Sequence, residues 1–101
     1  MPKKSKPFQP DKYLDGDDDI AAYISEAMLT DDIDTLTRAI GVAAKARGMT
    51  EIARQTGLSR ESLYKALSGD GRPQFETIVL VLKALGLRLS VEPNDEGARA
   101  A

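Results

Sequence analysis

The sequence predicts an all-α domain of about five helices with a short C-terminal β-strand. Apolar residues recur at helical spacing in separate segments, and glycines follow several of these segments. One short segment near the carboxyl end instead alternates apolar and polar residues, as a strand does. The chain has 101 residues, of which 42% are hydrophobic and 5% aromatic. This size and composition predict one domain with one small helical core.

The first helix is predicted over roughly residues 18–29, behind the acidic run 17–19, because carboxylates stabilise the positive end of a helix. Its recurring apolar residues are Ile20, Tyr23, Ile24, Ala27 and Met28. A second helix is predicted to follow Asp31 and Asp32 and to end at Gly48. Its predicted face consists of Ile33, Leu36, Ile40, Ala43, Ala44 and Arg47.

Residues 49–67, MTEIARQTGLSRESLYKAL, predict two short helices joined by a glycine turn. Ala53 allows the helices to approach closely, and Gly57 can end the first of them in the left-handed conformation. Ser59 is placed to cap the second helix through its hydroxyl. The expected apolar wedge is Ile52, Leu58 and Leu63, and the expected exposed face is Arg60, Glu61, Tyr64 and Lys65. These features predict a DNA-reading helix-turn-helix, although other helical hairpins in small bundles can combine them.

The remaining segments complete the predicted organisation. Residues 68–73 are rich in turn formers and predict a loop. A fifth helix is then predicted to end at Gly86, and its apolar residues at helical spacing are Phe75, Ile78, Val79, Leu82 and Leu85. Residues 87–91, LRLSV, predict a strand, which needs a partner strand from the amino-terminal arm or from a second copy of the chain. We therefore expect an extended, partly mobile arm at residues 1–16, a DNA-binding domain at 17–92 and a disordered tail at 93–101.

Composition argues against several classes of function. The chain contains no Cys and no His, which excludes disulfides, thiolate or imidazole metal sites and Cys-His or Ser-His nucleophile pairs. The ligand spacing of a calcium loop is imitated by four carboxylates, Asp15, Asp17, Asp19 and Glu26. The position that needs glycine is Ile20, so we predict no metal site and no cofactor. We also expect no enzymatic activity, and the lack of any long apolar run predicts a cytoplasmic protein without membrane contact.

Charge is segregated along the chain. Residues 1–36 hold 4 Lys and 9 acidic residues, whereas residues 37–91 hold 9 Lys or Arg and 4 acidic residues, although the total charge is -2. DNA responds to the local potential of the surface that docks on it. The basic segment around the predicted hairpin is therefore compatible with phosphate binding.

The segment GVAAKARGMTEIARQTGLSRESLYKALSGDGRPQFETIVLVLKALGLRLSV resembles the antidote proteins of addiction modules, a branch of the Cro and phage-repressor helix-turn-helix group. The resemblance extends from about Tyr13 to Val91, and its most specific portions are ARGMT at 46–50, TGLSRESLYKAL at 56–67 and the GDGRP loop with the LVLKALGLRLSV end. In that family the protein binds its own operon promoter and neutralises a small co-expressed toxin. The resemblance thus implies double-stranded operator DNA and a toxin protein as partners.

The resemblance also implies a DNA-binding site. It places six residues on the helix that would enter the major groove: Ser59, Arg60, Glu61, Ser62, Tyr64 and Lys65. Thr50 would begin the preceding helix, where its hydroxyl and amide could meet a phosphate. At Gln74 the family favours a short hydroxyl residue, so a weaker start of the fifth helix is implied.

Side-chain chemistry leaves more than one role open at several of these positions. Arg60 suits a guanine edge or a phosphate, and Lys65 and Arg54 suit phosphate contacts. Glu61 could accept a hydrogen bond from a cytosine amine or simply stabilise the positive first turn of its helix. Tyr64 could contact the DNA backbone or pack on the hairpin.

We therefore predict a dimeric transcriptional regulator. Two copies related by a twofold axis would read half-sites about 34 Å apart, or a multiple of that distance. Three alternatives remain at this point: a phage-type repressor without a toxin partner, a helical protein-interaction module that does not bind DNA, and an enzyme. The enzyme is the least favoured, because the sequence offers no convergent acid–base pair, metal set or phosphate loop.

Overall fold

The structure, a computed structural model, describes residues 16–94. Within this range it contains five α-helices: α1 (Asp17–Met28), α2 (Ile33–Arg47), α3 (Met49–Thr56), α4 (Arg60–Ala66) and α5 (Phe75–Ala84). The all-helical, five-helix prediction is confirmed for residues 16–94. The predicted arm and tail fall almost wholly outside the described residues. None of the helices in this range has the length and apolar content that crossing a membrane would require.

Local chemistry accounts for the starts of the first two helices. Three aspartates occupy the first turn of α1, where they complement the positive end of the helix. Asp32 caps α2, because its carboxylate accepts hydrogen bonds from the Asp34 amide at 3.3 Å and the Thr35 hydroxyl at 2.6 Å. The bond from Thr35 is the main reason that the pKa of Asp32 is lowered. Asp32 therefore stays ionised at neutral pH.

The two ends of α5 differ in how firmly they are closed. Gln74 stands at the N-cap but makes no side-chain capping bond, in agreement with the weak cap expected there. At the other end Gly86 has a φ of 82°, and the amides of Gly86 and Leu87 donate to the carbonyls of Lys83 and Leu82, both at 2.9 Å. This pair of bonds is a Schellman motif, which satisfies carbonyl groups at the helix end.

The core lies where α1 packs on α2 and where α3 packs on α2, α4 and α5. Its most completely buried large side chains come from all five helices and the turn after α5: Ile20, Ile40, Ile52, Leu63, Val81 and Leu85. The short α3–α4 hairpin is thus held by apolar contacts to the longer helices.

Gly41, in the middle of α2, allows the close approach of α2 to the end of α4. A Cβ atom added to Gly41 would lie 2.8 Å from the carbonyl oxygen of Leu67, which is too short for a carbon–oxygen contact. Because the obstructing atom belongs to the backbone, it cannot move away by a change of rotamer. Gly41 therefore sets the distance between α2 and the hairpin.

Gly41→Ala is expected to destabilise the fold by roughly 1–3 kcal/mol through overpacking, even though Ala favours an isolated helix over Gly by about 1 kcal/mol. Urea denaturation followed by circular dichroism measures the change. Gly16→Ala is the control for an added Cβ, because nothing lies within 4 Å of a Cβ at Gly16, and its smaller cost is that of Ala at the N-cap of α1. A Gly41→Ala protein as stable as the unmodified chain would show that this close approach is not needed.

Three side chains predicted to lie on apolar, core-facing sides of helices are exposed instead. They are Met28, Ile33 and Phe75, and 72% of the Phe75 surface is accessible to solvent. They stand at the end of α1 and at the starts of α2 and α5, where no other described element covers them. They line one groove together with Leu36, Ile78 and other apolar residues.

The predicted C-terminal strand is absent from the described residues. Residues 87–94 form neither helix nor strand, and the alternating pattern half-buries Leu87 but leaves Leu89 and Val91 exposed. The physical reason is that a strand is defined by its ladder with a neighbour, and residues 16–94 offer none. Of the two expected sources of a partner, residues 1–15 lie outside the described range and a second copy is not part of this single chain.

Candidate nucleic-acid interface

The turn between α3 and α4 is built by Gly57 and Thr56. Gly57 ends α3 in the left-handed conformation, with a φ of 79°, and its amide donates to the Ala53 carbonyl at 2.9 Å. The Thr56 hydroxyl donates to the Ile52 carbonyl at 2.8 Å and accepts from the Leu58 amide at 3.2 Å. These bonds occupy polar groups that the end of a helix otherwise leaves unpaired, so the turn is well defined.

The inner side of the hairpin is apolar, as predicted. Ile52 of α3 and Leu63 of α4 are both fully buried, and Leu58 in the turn is half-buried against the same core. Leu67, just after α4, is also buried. Since Leu63 and Leu67 are four residues apart, they lie on one side of the helix. The other side of α4 is left facing outward.

Ser59 begins α4 as its N-cap. Its hydroxyl oxygen accepts from the Ser62 amide at 3.0 Å and lies 2.9 Å from the Ser62 hydroxyl. Ser59 thus has a structural role that the sequence predicted, and both serines are exposed. Their hydroxyls lie at the positive end of α4, which suits the approach of a phosphate.

The outward side of α4 carries the four side chains expected there. Arg60, Glu61, Tyr64 and Lys65 are all exposed. The guanidinium carbon of Arg60 lies 5.9 Å from the centre of the Tyr64 ring, a cation–π contact that holds the two side chains together. The structure therefore places a basic and an aromatic side chain side by side on the exposed surface.

Tyr64 combines packing with exposure. It is 45% exposed, and it lines a shallow groove between α2 and α4 together with Arg38, Lys45 and Met49. The ring therefore lies in the groove beside α2 while part of it stays accessible to solvent. This position suits both expected roles, which are contact with the DNA backbone and packing on the hairpin.

Arg38 and Lys45 of α2 are two basic residues outside the site predicted from the sequence, which favoured a solvated surface role for Lys45. Both are exposed and line the same groove as Tyr64. Their spacing of seven residues puts them on one side of α2, which is a signal that the sequence does contain. Their proximity to α4 depends on how α2 packs against the hairpin, and periodicity cannot show that.

The outward side of α3 carries a paired arginine. Arg54 forms a salt bridge with Glu51, and Gln55 also donates to the Glu51 carboxylate. The Arg54 hydrogen bond, followed by that from Gln55, lowers the pKa of Glu51, and the same pair raises the pKa of Arg54. Glu51 therefore stays ionised down to the acid side of its ordinary range. Thr50, beside this pair, is exposed in the first turn of α3.

Of the eight site residues predicted from the sequence, the structure pairs five and leaves Thr50, Glu61 and Lys65 exposed on α3 and α4. On α4, Arg60 and Tyr64 are brought into contact, and at its start Ser59 bonds Ser62. On α3, Arg54 is held by an acidic neighbour. No group of three or more residues able to hold a metal ion occurs within residues 16–94. The arrangement consists of hydrogen-bonding and charged side chains on a convex helix, which is suited to contacting a groove or a phosphate chain.

Comparisons with known proteins give two matches. A family model described as "Probable addiction module antidote protein" matches residues 4–93. An "Uncharacterized protein" of Haemophilus influenzae is 42% identical over 92 residues, which cover 91% of this chain and 95% of that relative. No solved structure matches. Both matches span most of the chain and are not confined to the α3–α4 hairpin.

Proposed function

The chain belongs to the family of probable addiction module antidote proteins, and from this premise we propose that it is the antitoxin of a toxin–antitoxin module. In this role it binds operator DNA in a sequence-specific way, represses its own operon and neutralises a small toxin. The family implies the toxin partner. The family also favours this role over that of a repressor without a toxin.

The single observation that supports DNA binding is the exposed side of α4. A short helix anchored by the buried Leu63 presents Arg60, Tyr64 and Lys65 to solvent. These are donors suited to base edges and phosphates. In this proposal the α3–α4 hairpin is a helix-turn-helix, α4 enters the major groove, and α3 crosses the DNA backbone.

The basic residues around α4 supply the electrostatic part of binding. Lys65 on α4, together with Arg38 and Lys45 on α2, suits phosphate contacts. Each contact that displaces a counterion makes affinity fall with added salt. The negative total charge of the chain does not oppose this, because the opposing charge is concentrated in residues 1–36.

The acting form is proposed to be a homodimer. One α4 helix reads only a few base pairs, and two copies on a twofold axis would read both halves of an operator. Residues 87–91 support the dimer, because their alternating pattern is that of a strand and they have no partner strand within residues 16–94. Sedimentation at micromolar concentration should show a dimer, and a monomer there would contradict it.

Fluorescence anisotropy with a duplex from the region upstream of the gene tests the proposed DNA binding. We expect tighter binding to this duplex than to a random duplex of equal length, with affinity that falls steeply as salt is added. Equal binding to both duplexes would contradict the proposed sequence-specific recognition of the operator. Absence of binding to either would favour a protein-interaction module.

The proposal includes no enzymatic step, no cofactor and no metal, and it places the protein in the cytoplasm. The absence of Cys and His from the whole sequence supports the non-enzymatic role, because most nucleophilic and metal-assisted mechanisms use one of these residues.

Glu51→Gln is expected to strengthen DNA binding. It removes a negative charge beside the proposed phosphate-binding surface and frees Arg54 from its salt bridge. If Arg54 then contacts a phosphate, the slope of log affinity against log salt should steepen by about 0.9. Anisotropy titrations at several salt concentrations measure it.

Arg54→Ala alone and in combination with Glu51→Gln provides the control. Loss of the gain in the double variant would assign the gain to Arg54. A gain of equal size in the double variant would instead show that only the removed carboxylate matters. Because the pKa of Glu51 is lowered, Glu51 becomes protonated only at a pH below the usual titration range of a carboxyl group. Only there should acid break the salt bridge and free Arg54.

A further inference from the structure

Four of the large apolar side chains exposed within residues 16–94 lie outside the α3–α4 hairpin, at the end of α1 and at the starts of α2 and α5. Met28, Leu29, Ile33 and Phe75 form what we term the α1–α2–α5 surface. Leu29 is 81% exposed, and Met28, Ile33 and Phe75 line one groove of about 340 Å³. Leu29 directly follows Met28 in the turn after α1. Exposed apolar side chains clustered in this way are typical of a protein-binding surface.

The groove itself is almost entirely apolar. Its described lining residues include Ile24, Leu36 and Ile78 in addition to the exposed side chains, and Arg72 is the only charged residue among them. An apolar centre of this kind accommodates a partner's aliphatic or aromatic side chain, as the centres of stable interfaces do.

Around the α1–α2–α5 surface, carboxylates outnumber the two arginines, Arg72 and Arg88, that line the adjoining grooves. Each exposed apolar residue has carboxylates near it in the sequence, and these are Glu26, Asp31, Asp32, Asp34 and Glu76. Asp31 and Asp32 hold fixed positions, since Asp31 occupies the left-handed region with a φ of 59° and Asp32 caps α2. A partner whose contact surface combines apolar side chains with surrounding Lys or Arg would be complementary in charge.

A second copy of the chain fits this surface less well than a basic partner does. In a twofold interface the same patch meets itself, so the carboxylates of one copy would come close to those of the other. Like charges brought together across an interface oppose binding. Charge complementarity thus favours a different protein with a basic contact surface.

We propose that the toxin binds to the α1–α2–α5 surface. The toxin's contact surface would consist of apolar side chains surrounded by Lys or Arg. This inference rests on the proposed antitoxin role and assigns a surface to it. The surface is separate from the proposed DNA site, because Ile33 and Lys45 stand at opposite ends of α2, roughly 18 Å apart along the helix. The two proposed surfaces therefore share no described residue.

The test uses the purified toxin encoded in the same module, with binding measured by isothermal titration calorimetry. Leu29→Lys places a charge on the α1–α2–α5 surface directly after Met28, which lines the groove, and should weaken toxin binding roughly thirtyfold or more. Glu26→Lys should weaken it less and reduce its dependence on salt. Neither change should unfold the chain, since both side chains are exposed and a Lys near the end of α1 complements the helix dipole.

Asp70→Lys is the control, because Asp70 is exposed in the loop between α4 and α5 and belongs neither to the α1–α2–α5 surface nor to the groove lining. It should bind toxin as the unmodified chain does, and Leu29→Lys should still bind operator DNA. Toxin affinity of Leu29→Lys within about twofold of the unmodified chain, a difference of roughly 0.4 kcal/mol, would overturn the surface assignment. A monomeric Leu29→Lys protein with unchanged toxin binding would show that a second copy occupies the surface.

The failure of the surface assignment can be distinguished from failure of the proposed function. If the unmodified chain does not bind the toxin at all, the antitoxin role fails and this inference fails with it. If the unmodified chain binds and the Leu29→Lys and Glu26→Lys variants bind equally well, only the location is wrong.

Discussion

Leu63→Ala is expected to lower the free energy of unfolding by roughly 2–5 kcal/mol and to remove DNA binding near the resulting melting temperature. Leu63 is fully buried and joins α4 to the core shared with α3 and α5. Truncation leaves a cavity beneath a helix of only seven residues, which is too short to be stable without tertiary contacts. The loss is therefore a large part of the 5–15 kcal/mol typical of a small domain.

Thermal and urea denaturation followed by circular dichroism measure the Leu63→Ala effect. Leu29→Ala is the matched control, since the same atoms are removed from an exposed position, where a change within about 0.5 kcal/mol is expected. Equal stability of the two variants would show that Leu63 does not anchor α4. DNA binding should be compared at the melting temperature of Leu63→Ala, where this variant should have lost binding and Leu29→Ala should retain it.

Arg60→Ala and Lys65→Ala are expected to affect DNA binding in different ways. If Arg60 binds a base edge, its loss should reduce discrimination at one base pair by about 1–3 kcal/mol, with smaller effects elsewhere in the site. Lys65 is expected to contact phosphate, so its loss should weaken binding to all sequences alike and reduce the salt slope by about 1. Both residues are exposed, and neither change should affect folding.

A panel of operator duplexes, each altered at one base pair, separates the two effects. The predicted pattern is one position of relaxed preference for Arg60→Ala and none for Lys65→Ala. Tyr64→Phe tests the role of Tyr64 separately, because it keeps the ring beneath the Arg60 guanidinium and removes only the hydroxyl that is proposed to contact DNA. Equal losses on specific and random duplexes for both variants would contradict the base-reading role of Arg60.

The helices and the hairpin turn could be predicted from the sequence because their causes are local. Gly57 ends α3, and Ser59 caps α4, as their side chains and backbone freedom imply. The Glu51–Arg54 pair was also accessible in principle, because residues three apart on a helix are neighbours. Local chemistry therefore accounts for where the elements begin and end.

Features that depend on packing could not be predicted in the same way. Periodicity showed that Ile33 and Phe75 belong to apolar helix faces, but not whether another element covers those faces. The position of Arg38 beside Tyr64 depends on contact between α2 and α4, which are separated in the sequence. The predicted strand at residues 87–91 failed within the described residues because a strand requires a partner.

Site-specific cross-linking tests most directly whether the exposed side of α4 contacts DNA. The chain has no cysteine, so Glu61→Cys on α4 and Ser25→Cys on α1 each create a unique attachment point for a photoreactive group. We predict that the group at position 61 cross-links to bases of the operator and that the group at position 25 does not. Cross-linking from position 25 but not from position 61, with binding retained in both variants, would contradict the proposed DNA-binding surface.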